Sequence, residues 1–104
     1  MTFYSTHSEF RVVCDDPKEL LPECDRLMGA LLDLETDSVN SAAVSVDIGR
    51  GIMEIELAAE APDLNEALSQ VDQTITEAIS LTGGSLVKNP PEMVEKRGEL
   101  LTPA

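Results

Sequence analysis

The chain has 104 residues, which suits one compact domain and leaves no room for two domains that clamp a substrate. Seven Lys plus Arg against twenty Asp plus Glu give a formal net charge of −13, and 42% of the residues are hydrophobic. That hydrophobic share argues against disorder, and the acidity argues against nucleic-acid binding, which depends on clustered cations.

The first strand is predicted at residues 8–14, where Phe10, Val12 and Cys14 alternate with a second set of side chains. Residues 1–7 are expected to form an N-terminal arm that contains His7, the single histidine of the chain. One histidine cannot supply a two-histidine metal site, so His7 is expected to be exposed and without a function.

A helix start follows the first strand. Asp16 is predicted as the N-cap and Pro17 as the first helical residue. If the main helix began at Pro17, Pro22 would lie beyond its first turn and would displace an internal hydrogen bond. A short turn over residues 17–20 is therefore expected before the main helix. The apolar face of that main helix extends to Leu34.

Two groups of potential ligand residues fit no established metal-site spacing. Cys14 and Cys24 are ten positions apart, which matches neither a redox pair nor a zinc motif. Both fall on predicted core faces, so they are expected to be buried free thiols, with a disulfide as the alternative if they lie close together. Glu35, Asp37 and Asn40 follow the first helix without the spacing of a calcium loop. They are interpreted as a solvated acidic turn, and no metal or cofactor is expected.

The segment from Ala42 to Ala58 predicts a β-hairpin, since two alternating runs flank Gly49, Arg50 and Gly51. The two-residue loop is either Gly49-Arg50 or Arg50-Gly51. The two choices differ by two residues in pairing and leave every side chain on the same face.

A second helix is predicted between Asp63, a capping residue, and Gly83, a C-terminal glycine. Residues 85–88 are expected to form a short fourth strand. After two prolines, residues 92–101 are expected to form one or two helical turns.

The order strand, helix, strand, strand, helix, strand predicts an α+β ferredoxin-like plait over residues 8–88, followed by a tail over residues 89–104. Both helices would cover one face of a four-stranded antiparallel sheet.

The open face of this sheet would carry Glu9, Arg11, Val13, Ala43, Ser45, Asp47, Glu54 and Glu56. Arg11 is expected to pair with Glu54 or Glu56 across strands. A face this acidic and poor in aromatic residues would not stack RNA bases, so it either meets water or pairs with a second copy.

The tail carries apolar residues that are unusual in a linker, namely Met93, Val94, Leu100 and Leu101. The tail folds back on its own domain, docks on a second subunit or another partner, or frays. These four residues are the predicted interface.

The run from Phe10 into Asp16-Pro17 and the leucines that follow resembles the opening of ACT-type regulatory domains. That resemblance implies the plait topology and a small ligand bound at a subunit interface, here near Asp15, Asp16, Lys18 and Leu20. Lys18 stands where the family has a glycine. The hairpin and the helix that ends in two glycines also resemble small uncharacterised actinobacterial proteins, which implies no function.

The leading functional hypothesis is a small, non-catalytic, cytoplasmic protein that acts through self-association as a homodimer or through a protein partner. The first alternative is a ligand-binding regulatory domain of ACT type. The second is a small dimeric plait enzyme with a pocket between sheet and helices. No segment approaches the length of a membrane span, and no membrane partner is expected.

Overall fold

The computed structural model describes residues 2–12 and 17–101. Its elements are β1 (Thr2–Arg11), a 3-10 turn (Pro17–Glu19), α1 (Leu20–Asp33), β2 (Val39–Asp47), β3 (Ile52–Ala61), α2 (Leu64–Thr82), α3 (Ser85–Lys88) and β4 (Glu92–Leu100). The four strands form one antiparallel sheet in the order β2-β3-β1-β4. The predicted ferredoxin-like plait is confirmed, with both main helices on one face.

β1 begins at Thr2, so the expected arm over residues 1–7 is wrong. The polar residues Thr6 and Ser8 occupy the face that is buried under the helices, which removes the apolar alternation that identifies a strand. Thr6 is accommodated there because its hydroxyl donates a hydrogen bond of 2.8 Å to the carbonyl of Leu57. The predicted C-terminal part of this strand, residues 13 and 14, lies outside the described residues.

The helix start agrees with the expectation of a short turn before the main helix. The 3-10 turn ends at Glu19 and α1 begins at Leu20, which places Pro22 in the first turn of α1. The first four N–H groups of a helix have no partner within it, so the missing N–H of Pro22 breaks no helical hydrogen bond. The proposed cap, Asp16, lies outside the described residues.

The hairpin of β2 and β3 is confirmed, with Asp47 opposite Ile52 and Val46 opposite Met53. This pairing corresponds to the loop Gly49-Arg50 of the two alternatives. Gly51 has φ 66°, a conformation that favours glycine, and its Cβ position would lie 3.4 Å from the carbonyl of Val12.

The two ends of α2 also match the prediction. The backbone N–H of Glu66 donates to Asp63 Oδ1 at 2.8 Å, and Gly83 ends the helix with φ 64°. A capping carboxylate and a left-handed glycine therefore fix both ends of this helix.

The fourth strand is not at residues 85–88, which form the helical turn α3 with Val87 N–H donating to the Gly84 carbonyl at 3.1 Å. A four-residue apolar run does not distinguish a strand from a helical turn. The fourth strand is β4, where helical turns were expected. It pairs with β1 from Leu100 opposite Tyr4 to Glu92 opposite Arg11. β4 is an edge strand exposed on both faces, so its sequence shows no alternation of apolar and polar residues.

Arg11 does not pair with Glu54 or Glu56. Its guanidinium lies 3.7 Å from Glu92 on β4, because the register puts Ile52 opposite Arg11 on the other side.

The core lies between the helices and the helix-facing side of the sheet. Leu27 and Leu31 of α1, Val71 and Ile75 of α2, and Ile55 of β3 are each at most 2% exposed. No helix among the described residues is long and apolar enough to cross a membrane.

Candidate functional site

A cleft of about 460 Å³ opens between the C-terminal half of α2 and the chain that leads into β4. We call it the α2–β4 cleft. Its lining residues are Phe10, Asp72, Ile75, Thr76, Ile79, Ser80, Leu86, Val87, Pro90, Pro91 and Met93. Its volume falls in the range of roughly 300 to 1,000 Å³ that small-molecule sites occupy.

The floor of the cleft is made of buried apolar side chains from three elements. Phe10 of β1, Ile75 of α2 and Leu86 of α3 are 6%, 2% and 2% exposed. Val87 and Met93 are exposed and form the rim. The floor is therefore fixed by core packing, and the rim is free to meet a ligand.

Two prolines precede β4 and line the cleft. Pro90 and Pro91 restrict the backbone between α3 and β4, and their nitrogens donate no hydrogen bond. Met93 then enters the sheet opposite Phe10, beside a register irregularity between Glu9 and Phe10.

One wall of the cleft is polar, since Asp72, Thr76 and Ser80 follow one another at four-residue spacing on one face of α2. The hydroxyls of Thr76 and Ser80 donate to the backbone carbonyls of Asp72 and Thr76 at 2.8 and 3.2 Å. Both hydroxyl protons are therefore in use, and these residues offer acceptors to the cleft.

Asp72 is the titratable residue among those that line the cleft. Its Oδ2 accepts a hydrogen bond of 2.8 Å from the Lys96 ammonium. Its Oδ1 is buried and has no hydrogen-bond partner within residues 2–12 and 17–101. The Asp72 side chain is 36% exposed although Oδ1 is buried, so Oδ2 is the carboxylate oxygen that the cleft can reach. A carboxylate oxygen can accept more than one hydrogen bond, so Oδ2 offers an acceptor to a ligand as well as to Lys96.

Of the residues of the ACT-type resemblance, Lys18 and Leu20 are not among those that line this cleft. Leu20 is 4% exposed and belongs to the hydrophobic core, while Lys18 is exposed in the 3-10 turn. Asp15 and Asp16 lie outside the described residues. The structure therefore assigns Leu20 to packing.

The four residues predicted as an interface all lie on or next to β4 and are exposed. Met93 joins the rim of the α2–β4 cleft. Leu100 pairs with Tyr4, and the backbone N–H of Leu101 donates to the Phe3 carbonyl at 3.0 Å. Residues 92–100 of the tail are thus part of the sheet, and the four predicted interface side chains are exposed.

Cys24 is a buried free thiol, as predicted, and Cys14 lies outside the described residues. Burial raises the pKa of the Cys24 thiol, and the neighbouring carboxylates of Asp25 and Glu23 raise it further. A raised pKa keeps the thiol protonated at neutral pH, which makes it a poor nucleophile.

Glu23 is a buried carboxylate, 3% exposed, and forms an ion pair with Arg26. A Cβ at Gly84 would clash with the Glu23 carboxylate, so the glycine allows this side chain its position. Glu23 is not among the residues that line the α2–β4 cleft.

The loop after α1 uses its polar side chains locally. Glu35 accepts a hydrogen bond of 3.0 Å from the Ser41 backbone N–H. The Asn40 amide donates to the carbonyls of Thr36 and Asp37, each at 3.2 Å. These contacts give the predicted acidic turn a structural role.

His7 lies in the inner strand β1 on the open face of the sheet, and its side chain is 14% exposed, so the expectation of an exposed histidine in an arm is wrong. Its period-two spacing to Glu9 and Arg11 is the signal that could have placed it there.

The sequence contains a weaker signal for the α2–β4 cleft. Ile75 and Ile79 lie within the predicted second helix, but their meeting with Leu86 and Met93 depends on the tertiary structure.

No protein-family model matches the chain, and no curated protein matches it. Solved structures do. A protein of Chloroflexus aurantiacus J-10-fl, provisionally described as an antibiotic biosynthesis monooxygenase, aligns with a TM-score of 0.57 and 11% identity over 99% of this chain and 96% of its own. Rv0793 of Mycobacterium tuberculosis aligns with a TM-score of 0.52 and 11% identity over the same shares. At this identity the two alignments show a common fold.

Proposed function

We propose that this protein binds small apolar molecules in the α2–β4 cleft without transforming them. The observation that carries the proposal is a cleft of about 460 Å³ whose floor is apolar and rigidly packed, with polar groups confined to one wall. This combination is typical of ligand sites, where apolar surface supplies affinity and a few polar groups set orientation.

The charge of the protein defines the ligand further. A net charge of −13 and the Asp72 carboxylate in the wall disfavour anions. The polar wall offers acceptors, namely the Asp72 carboxylate and the hydroxyl oxygens of Thr76 and Ser80, so it favours a ligand that donates a hydrogen bond. The expected ligand is therefore apolar, neutral or cationic, and carries one donor group.

The contacts of the cleft favour binding over catalysis. Asp72 is held by Lys96, and the buried carboxylate of Glu23 is not among the lining residues. The monooxygenase description of one structural relative makes an oxygenase the enzymatic alternative, supported by the shared fold alone. The ACT-type site is less well supported, because Leu20 is used in the core.

We expect the neutral probe N-phenyl-1-naphthylamine to bind saturably at one site per chain, with a rise in its fluorescence. The related anionic probe 8-anilino-1-naphthalenesulfonate shares its aromatic body and adds a sulfonate, so its affinity should be lower by roughly tenfold, or about 1.4 kcal/mol. Fluorescence titration measures both affinities.

The substitution Thr76→Trp adds an indole to the polar wall of the cleft and should abolish saturable binding of the neutral probe. Ser69→Trp is the matched control, because Ser69 is exposed on the same helix and does not line the cleft. Equal binding by both variants would contradict the assignment of the cleft.

Self-association is a second candidate, favoured by the exposed apolar residues of the predicted interface on the edge strand β4. An unpaired strand edge can pair with a second copy and extend the sheet. We expect light scattering to give twice the chain mass of 11.2 kDa. Val94→Glu should restore the monomer mass, and Leu81→Glu, an exposed position on α2, should not. A wild-type mass of 11.2 kDa would contradict this candidate.

A further inference from the structure

Three potential metal ligands come together on the open face of the sheet, on the side opposite the helices. They are His7 and Glu9 of β1 and Glu54 of β3, and we call them the His7 cluster. The register puts Glu9 directly opposite Glu54, and His7 one row away opposite Glu56.

The donor atoms lie near the spacing that a small cation requires. One ligand atom from each of the three residues lies within 4.8 Å of the other two, and His7 Nε2 is 3.4 Å from Glu9 Oε1. A tetrahedral zinc ion with nitrogen and oxygen ligands at about 2.0 to 2.2 Å holds those atoms about 3.4 Å apart. Small side-chain rotations would therefore complete the geometry.

The orientation of the imidazole is a second argument. His7 Nδ1 lies 3.4 Å from Glu56 Oε1, on the opposite side of the ring from Glu9. Metal-binding histidines usually direct their second nitrogen to a carboxylate, which fixes the tautomer and the ring. With Nδ1 held by Glu56, Nε2 faces Glu9.

The charge pattern of the sheet is a third argument. Glu54, Glu9 and Glu95 are direct neighbours across three adjacent strands, and like charges directly opposite each other are destabilising. Arg97 lies 3.6 Å from Glu95 and compensates that carboxylate. Glu9 and Glu54 remain opposed, and Glu9 is only 20% exposed. A divalent cation between them would remove the repulsion.

We propose that the His7 cluster binds a divalent transition-metal cation such as Zn²⁺, with Glu56 as a positioning residue. The imidazole decides the class of metal, because Mg²⁺ and Ca²⁺ prefer sites made only of oxygen ligands, whereas imidazole suits zinc and its neighbours. The site lies on the face opposite the α2–β4 cleft and does not depend on the proposed function.

The test is isothermal titration calorimetry of the untagged full chain with Zn²⁺. We expect one ion per chain, and at least a tenfold weaker affinity in His7→Asn and Glu54→Gln. Glu56→Gln should weaken binding by about 10- to 100-fold, as other changes to the partners of metal-bound histidines do. Glu60→Gln is the matched control, since it removes one charge from the same face of β3, opposite Phe3, and should leave the affinity within about twofold of wild type.

Nuclear magnetic resonance gives a readout that a merely acidic surface would not move. Because the chain has one histidine, its imidazole nitrogen signals belong to His7, and Zn²⁺ should shift Nε2 far more than Nδ1. Circular dichroism of each variant checks that it is folded. Unshifted His7 signals, or equal affinities for His7→Asn and Glu60→Gln, would show diffuse attraction of the cation to acidic groups and overturn the proposal.

Discussion

A chain truncated after Pro90 should lose its cooperative unfolding transition in urea, as followed by far-ultraviolet circular dichroism. Truncation removes β4, which pairs with β1 along eight residue pairs. Phe10, which is buried, would become exposed to water, and full burial of such a side chain contributes about 1.5 to 3 kcal/mol to the free energy of unfolding. Each lost ladder hydrogen bond adds about 1 kcal/mol. Against a total of about 5 to 15 kcal/mol for a small domain, these losses are sufficient to unfold it.

Proline substitutions test the contribution of β4 pairing to stability without shortening the chain. The Leu101 N–H donates to the Phe3 carbonyl, and antiparallel pairing alternates, so the Glu99 N–H points to β1 and the Leu100 N–H points away. Glu99→Pro should therefore lower the urea midpoint much more than Leu100→Pro. Equal effects of both prolines, or an unchanged midpoint after truncation, would contradict the assignment of β4 as a strand.

Leu27→Ala should lower the free energy of unfolding by about 2 to 5 kcal/mol, because it removes a fully buried side chain and leaves a cavity. Leu27 is 0% exposed and belongs to the core between α1 and the sheet. Urea denaturation measures the change, and the slope of the transition should stay constant if only stability is affected.

Leu32→Ala is the matched control on the same helix. Leu32 is 50% exposed, so the same substitution should change the free energy of unfolding by no more than about 0.5 kcal/mol. If both substitutions lowered the free energy of unfolding equally, Leu27 would not be buried, and the assigned packing of α1 on the sheet would be wrong.

The elements with strong periodicity were predictable from the sequence. Asp63 and Gly83 define α2 by the chemistry of their own side chains, a carboxylate acceptor and the absence of a Cβ. The hairpin followed in the same way from two alternating runs around Gly49 and Gly51. These signals are local, so they survive without knowledge of the neighbouring elements.

The sites were less predictable, since each combines residues that are distant in sequence. The α2–β4 cleft joins Phe10, Ile75 and Met93. The His7 cluster joins β1 to β3, and its histidine lies in a segment that was interpreted as an arm. Neither has a contiguous motif.

The sequence by itself determined the order and type of most elements, the faces of both main helices and of the hairpin, and the acidic character of the open sheet face. The tertiary structure decided where the sheet ends, because an edge strand such as β4 is exposed on both faces and shows no alternating pattern. It also decided that Thr6 lies in the buried part of β1, because a partner strand supplies the carbonyl that its hydroxyl needs.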